Sequence, residues 1–393
     1  MLPHPSAGGY PARGSALASV RSGGEVSLLH WLGFQFEHLW GPIRLLQSHL
    51  VLCTLGALLA AVGSFLVMRR WLGTLPCDRG REHAAESIDS IGKPTGAGSL
   101  FIPVTVLVAL LVAPWDPYRA VILLGVLLAM GAGFLDDCSP DAWGRLSKGL
   151  IDLFISMGVA WAMIGGESSM EIWLPFFAPK MGQEALLDGT AGMLAPILCE
   201  PWLYGVMATM LLWFSINTTN CTDGVDGLSG SLLALAFLCL GGVLYGVVGH
   251  VDSAHYLLVP FYEDGASWAV IVATTLGTLA AYLWFNAYPS QLLMGDAGSR
   301  ALGLLLGVFV LATGNPFLLL VVALLILANG GTGLFKVGFI KFLRIRVLES
   351  IRCPLHDHVR ENWGWSNTQV LVRFVILQAV MAPMLIVILL KVR

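Results

Sequence analysis

Asn217-Thr218-Thr219-Asn220-Cys221-Thr222-Asp223-Gly224-Val225-Asp226-Gly227-Leu228 is a polar, glycine-punctuated stretch set between two apolar runs, Trp202–Ile216 and Leu228–Val248. Such runs are candidates to cross a bilayer, whose hydrocarbon takes about 20 helical residues. Carboxylates abutting membrane spans are costly unless used, so the stretch reads as a catalytic loop at a membrane surface. Two amides and two carboxylates beside glycines can hold a magnesium ion and let the backbone approach phosphates. Asp223 and Asp226 are three apart and share a face if the segment is helical. Asn-rich Asp-Gly pairs also make ordinary surface turns, so the rest of the chain has to decide.

Of 393 residues, 56% are hydrophobic and only 12% charged. That composition belongs to an all-α polytopic membrane protein rather than to two or three soluble domains. A net charge of -3, with no dense basic cluster, excludes a nucleic-acid partner. The seven cysteines have no paired spacing, which points to neither a disulfide framework nor a zinc site. Residues 1–25, rich in Gly, Pro and Ser, read as a disordered leader without the apolar core of a cleavable signal. Residues 26–47 mix Trp31, Phe34, Phe36 and Trp40 with His, Glu and Arg, as an interfacial helix does.

Residues 48–393 form a single transmembrane domain of about ten helices. The apolar segments are Leu50–Met68, Ala97–Ala113, Ala120–Leu135, Gly149–Ile164, Trp202–Ile216, Leu228–Val248, Trp268–Phe285, Ala301–Thr313, Phe317–Ile340 and Val370–Leu390. One set of loops carries Arg69, Arg70, Arg79, Arg81, Lys93, Arg145, Lys148, Lys341, Arg344, Arg346, Arg352 and Arg360. The other set carries Asp116, Glu167, Glu171, Glu184, Asp188, Glu200, Asp252, Glu263 and Asp264, with Arg119 and Lys180 as its basic residues. The positive-inside rule places the first set in the cytoplasm, and ten spans then leave both termini outside. The polar motifs Lys93–Gly98, Asp136–Lys148, Asn217–Gly227, Asn286–Arg300 and Cys353–Trp365 all follow odd-numbered spans and so converge on one face.

Each motif has chemistry of its own. Asp136 and Asp137 point about 100 degrees apart on a helix, so their roles differ: one to help hold a metal, the other to meet an acceptor phosphate as a base. Asp296, in Met294-Gly295-Asp296-Ala297-Gly298-Ser299, adds the further acidic ligand that Mg²⁺ on a diphosphate requires, beside Asp223. As a lone motif it is also a helix cap. His356, His358 and Arg360 are suited to phosphate or sugar oxygens. Zinc from Cys353, His356 and His358 fits no usual finger spacing. Gly92 to Gly98, with Thr95, suits backbone contact with a nucleotide or phosphate.

Taken together, these motifs resemble the polyprenyl-phosphate N-acetylhexosamine-1-phosphate transferases. The resemblance runs from about Leu50 to the C-terminus and rests on Pro94 to Gly98, Gly133 to Asp137, Lys148-Gly149-Leu150, Asn217 to Leu228, Phe285 to Pro289, Met294 to Ser299, Pro354 to His358 and Val372-Arg373-Phe374. Asn286-Ala287-Tyr288-Pro289 favours the muramoyl-pentapeptide branch. The resemblance implies ten helices with the N-terminus outside, a ninth helix that is bent, and an active site on the cytoplasmic face of a bacterial inner membrane. It implies transfer of phospho-MurNAc-pentapeptide from its UDP-linked donor, UDP-MurNAc-pentapeptide, to undecaprenyl phosphate with Mg²⁺, giving lipid I and UMP. Asp136 resembles the residue at the acceptor phosphate, Asp296 the principal magnesium ligand, and Asp137 and His356 other essential groups. Asn220, Asp223, Asp226 and Asn286 resemble the nucleotide-binding residues, with Thr95 beside them, and Lys148 and His358 are further candidates for substrate binding. The apolar faces of the spans would permit a homodimer.

The chain departs from the family pattern at several points. Ser90 stands where a lysine is usual, and Lys93 abuts the proline instead. Leu293 occupies the place of a phenylalanine expected to stack on uracil, and Asn329 and Lys336 replace a glutamate and a glutamine in the ninth span, where Gly330-Gly331 permits a bend. The triple histidine reads His356-Asp357-His358. A sibling transferase using UDP-GlcNAc, an intramembrane prenyltransferase and a secondary transporter are the alternatives. Transporter carboxylates lie near mid-span, whereas Asp136, Asp137, Asp223, Asp226 and Asp296 all fall at span ends.

Overall fold

The computed structural model describes residues 27–38, 41–78, 91–140, 143–174, 197–345 and 350–391. The expected leader, residues 1–25, lies outside them, as do Ser90, Arg79, Arg81, Lys180, Glu184, Asp188 and Arg346. The described chain begins with α1 (Leu28–Phe36) and a 3-10 turn (Gly41–Gln47), then α2 (His49–Trp71), α3 (Gly98–Val112), α4 (Pro117–Cys138) and α5 (Arg145–Ile164). Two three-residue strands, β1 (Met170–Ile172) and β2 (Ile197–Cys199), pair antiparallel with Met170 opposite Cys199. Next come α6 (Pro201–Thr222), α7 (Leu228–Val243), α8 (Val251–Leu257), α9 (Gly265–Asn286) and α10 (Gly295–Ala312). The last part holds α11 (Leu318–Val322), α12 (Leu324–Ile326), α13 (Thr332–Gly338), α14 (Leu355–Trp363) and α15 (Asn367–Lys391).

Among the described residues, 8 helical stretches are long and apolar enough to cross a membrane. α3 is shorter at 15 residues, and α6, with 22, ends in the polar sequence Asn217 to Thr222. Helices overrun their apolar runs at the polar ends because each further turn satisfies its own backbone groups beside a medium that cannot. α6 therefore extends through Thr222 rather than giving way to a loop at Asn217, and α4 extends through Asp136 and Asp137. This corrects the loop expected at Asn217–Gly227. Asp223 terminates α6 with φ -81 and ψ 80, so Asp223 and Asp226 do not share a helical face.

α10 is the axis of the bundle, almost wholly buried, with α4 and α6 packed along it; α9 packs along α2. Small residues permit the approach: a Cβ on Gly303 would lie 2.8 Å from Cα of Ile216 in α6. The interfacial segment is two pieces, α1 and the 3-10 turn, rather than one helix over 26–47. The ninth apolar segment is broken at Ala323, whose φ of -112 leaves the helix, and relaxes into a π-turn over Leu327–Gly331. Gln378 of α15 makes the break tolerable: its Oε1 accepts from the Leu325 N–H at 2.9 Å and its Nε2 donates to the Val322 carbonyl. Gly330, expected to permit the bend, serves close packing as well, since a Cβ there would lie 2.1 Å from the Thr218 carbonyl oxygen.

Candidate active site

Three carboxylates meet where α4 ends and α10 begins. Asp137 accepts from two backbone N–H groups at the start of α10, Asp296 and Ala297, each at 3.0 Å. It thus caps a neighbouring helix with both oxygens, where the helix dipole favours negative charge. The approach needs glycine on both sides: a Cβ on Gly133 would lie 2.3 Å from the Asp296 carbonyl oxygen, and Gly295, at φ +70, faces Asp137. Asp136, next along the chain, points elsewhere. Its Oδ1 accepts from the Trp143 N–H at 2.7 Å, and its Oδ2 pairs with Lys148.

Lys148 of α5 reaches into the centre and joins it. Its ammonium bridges Asp136 and Asp296, 2.9 Å from the latter's Oδ2. Asn220, in the last turn of α6, donates to Asp296 Oδ1 and to Ser299 Oγ, both at 3.0 Å. Asp296 is therefore held from α5, α6 and the α4 cap at once. Asp136 and Asp296 share the one ammonium and Asp137 lies beside them on backbone N–H groups, so carboxylates outnumber the cation at this centre. Among the described residues no three His, Cys, Asp or Glu side chains form a ready metal cage. Such a donor set fits Mg²⁺, which takes one or two carboxylates and completes its shell with water and substrate phosphates. Asp223, the second metal candidate, has its Oδ1 on the Ser229 hydroxyl at 2.6 Å, at the start of α7.

A second layer ties the loops together. Asn286, buried at the end of α9, accepts from the Gly227 N–H and donates to the Leu292 carbonyl, both at 2.8 Å. Its amide is thus a clamp between two loops, with one N–H and one lone pair left over after these two bonds. Asp226 accepts from the Ser290 N–H at 3.1 Å and pairs with Lys93 at 3.3 Å; Lys93 also reaches Ser290 Oγ at 3.1 Å. The 94–98 turn hydrogen-bonds along the 293–294 backbone, Leu293 N–H to the Pro94 carbonyl at 2.7 Å and Ala97 N–H to the Leu293 carbonyl at 3.1 Å. Thr95 lies half-buried in that turn, its own N–H on the Pro76 carbonyl at 2.8 Å.

His356 sits in the first turn of α14, a helix where a loop was expected. Asn329 holds it: the amide Oδ1 accepts from the His356 backbone N–H at 2.8 Å and lies 3.1 Å from its Nδ1. The backbone group can only donate, so the shared atom is an acceptor and Nδ1 carries a proton. Nε2 is directed at Gly224, where a Cβ would lie 2.5 Å away. Burial lowers the pKa of the ring to about 4, Asp357 opposing and Arg360 adding to the shift. His358, two residues on, faces roughly the other side of the helix. It accepts from the Arg352 N–H at 3.3 Å and meets Trp363 edge-on.

All five motifs expected to converge are thus joined by direct contacts: 93–98 with 226 and 293, 136–148 with 296, 220–227 with 286 and 296, and 356 with 224 through its ring. The partners outside the motifs are Asn329 and Ser229; Ser290 and Ser299 lie within the Asn286–Arg300 motif, which assigned them no role. A residue-level signal existed only for Asn329, as a departure in the ninth span.

An apolar helix bundle whose acidic, amide and lysine groups collect at helix ends is an enzyme of the membrane, built for polar chemistry at its boundary. Residues 119–314 match the Glycosyl transferase family 4. A phospho-N-acetylmuramoyl-pentapeptide-transferase of Treponema pallidum (strain Nichols) is 43% identical over 371 residues, 94% of this chain and 96% of that protein. Proteins of the same name from Neisseria gonorrhoeae (strain NCCP11945) and Campylobacter curvus (strain 525.92) are 32% and 30% identical, over 74% and 76% of this chain and 78% and 81% of theirs. The chain belongs to the phospho-N-acetylmuramoyl-pentapeptide-transferase family.

Proposed function

We propose that this protein transfers phospho-MurNAc-pentapeptide from UDP to undecaprenyl phosphate in peptidoglycan biosynthesis, forming lipid I and releasing UMP. An oxygen of the acceptor phosphate attacks the sugar-linked phosphorus of the donor, and the bond from that phosphorus to the UMP oxygen breaks. The observation that carries this reading is the Asp136–Lys148–Asp296 bridge at the helix ends, in a chain aligned along 94% of its length with a transferase of that name.

Catalysis of this kind is positioning plus neutralisation of phosphate charge. The acceptor is tethered by its lipid tail and the donor is soluble, so the reaction belongs at the boundary. Asp296, oriented by Asn220 and the Asp137 cap, would hold Mg²⁺, with substrate phosphates completing the shell. When bound, the ion neutralises charge on the diphosphate. Asp136, buried beside Lys148, would meet the acceptor phosphate as a base, and Lys148 draws that phosphate's charge toward Asp296. His356, its Nδ1–H fixed by Asn329, presents an unprotonated Nε2 beside Gly224 as an acceptor for a donor hydroxyl. Asn286 and Asp226 hold the loops that receive the nucleotide.

The basic loops support a site on the cytoplasmic face of the inner membrane, and counting α3 and α6 with the 8 longer stretches supports ten spans. The deciding experiment is UMP release by detergent-purified protein given undecaprenyl phosphate, Mg²⁺ and either UDP-MurNAc-pentapeptide or UDP-GlcNAc. Release with the first donor alone supports the reading. Release with the second alone moves the protein to a sibling activity.

A further inference from the structure

Below the carboxylate centre lies a second charge pair that the proposed chemistry does not use. α5 and α10 each pack against α4 and α6, so they stand on the diagonal of a four-helix set and communicate through long side chains across its middle. Lys148 and Asp152 lie one turn apart on α5; Asp296 and Arg300 lie one turn apart on α10. Lys148 reaches Asp296 at 2.9 Å. One turn deeper, Arg300 returns the charge in the opposite sense, Nε to Asp152 Oδ1 at 2.9 Å. Its Nη2 donates to the same oxygen and also lies 3.5 Å from the Lys148 carbonyl.

The order of charges makes this a ladder with one register. A slip of one turn, about 5.4 Å, would set Lys148 against Arg300 or Asp152 against Asp296. Stability does not account for the pair. Arg300 is 1% exposed and Asp152 2% exposed, and a buried ion pair is commonly no better than an apolar pair of the same volume. Arg300 Nη1 has no hydrogen-bond partner among the described residues, a further cost.

We propose that Asp152 and Arg300 are positioning residues that hold α5 in register with α10, so that the Lys148 ammonium stays between Asp136 and Asp296. The activity arm of the test rests on the transferase reading; the labelling arm does not. The variant is Asp152→Leu/Arg300→Leu, which removes both charges together. Its unfolding temperature stays at or above that of the parent, while kcat for UMP release falls about tenfold or more and KM for the donor stays within about twofold. Asp152→Glu/Arg300→Lys, with the charges in order, recovers most of kcat.

Independently of turnover, Lys148 is read by amine acylation and peptide mass spectrometry against Lys93, whose side chain has the same 23% exposure. The Lys148-to-Lys93 labelling ratio rises several-fold in the double-leucine variant. Retention of both kcat and the labelling ratio in that variant overturns the proposal. If it does not fold, the near-isosteric Asp152→Asn/Arg300→Gln pair decides by the same two readouts. If the parent itself releases no UMP, the transferase reading fails, and the labelling ratio alone decides the ladder.

Discussion

Replacing Asn286 by aspartate tests whether that residue binds nucleotide or builds the site. The two side chains have nearly the same shape, so no cavity is made. Aspartate keeps the acceptor for the Gly227 N–H at 2.8 Å and loses the donor to the Leu292 carbonyl at 2.8 Å. A buried carbonyl left without its partner costs about 1–3 kcal/mol. A carboxylate oxygen facing it adds repulsion at a position only 3% exposed. The sum is about 2–4 kcal/mol, concentrated on the 223–227 and 287–294 loops, enough to open them some tens to hundreds of times more often. Hydrogen exchange read by mass spectrometry reports that opening directly. The expected result is faster exchange in both loops of the nucleotide-free enzyme, with kcat and KM both impaired. Unchanged exchange in the free enzyme, with a raised KM for the donor alone, would show that Asn286 contacts the nucleotide and that the clamp is incidental.

Three further outcomes are expected. Asp296→Asn leaves the fold intact, because Lys148 keeps Asp136, and lowers UMP release about 100-fold or more; near-normal turnover with an unchanged unfolding temperature would remove Asp296 from the metal role. Leu293→Phe tightens uridine-nucleotide binding about fivefold, the worth of about 1 kcal/mol of stacking, since the Leu293 backbone is anchored to Pro94 and Ala97 and only the side chain changes; an unaltered Kd by calorimetry places uracil elsewhere. His356 is neutral in the folded protein, with its pKa depressed from 6.5 to about 4. Between those values the unfolded chain binds a proton that the folded one does not, so the contribution to stability is whole above pH 6.5 and is lost as pH falls toward 4, by roughly 3 kcal/mol. His356→Gln flattens that part of the stability profile, and identical profiles for the two proteins would count against the burial.

The fold class was legible because membrane spans are written locally: about 20 apolar residues must satisfy their own backbone, and charged loops record the side on which they stay. The convergence of Lys93–Gly98, Asp136–Lys148, Asn217–Gly227, Asn286–Arg300 and Cys353–Trp365 followed from the same count. Helix ends were less legible, since α6 continues through Asn217 to Thr222 and α14 forms where a loop was expected. There the backbone's need for partners outweighed the polarity of the side chains.

From the sequence alone came the apolar bundle, the motifs that gather at one end of it, and the type of group each motif brings. The tertiary structure alone assigned the partners: Asp137 spends both oxygens capping α10, Asn286 locks two loops, Lys148 is shared by Asp136 and Asp296, and Asn329 orients His356. Asp137 lies 159 residues from Asp296, and Lys148 lies 148 from it. A hydrogen bond forms within about 3 Å, and at such separations along the chain only the packing of helices on one another decides which polar groups come that close.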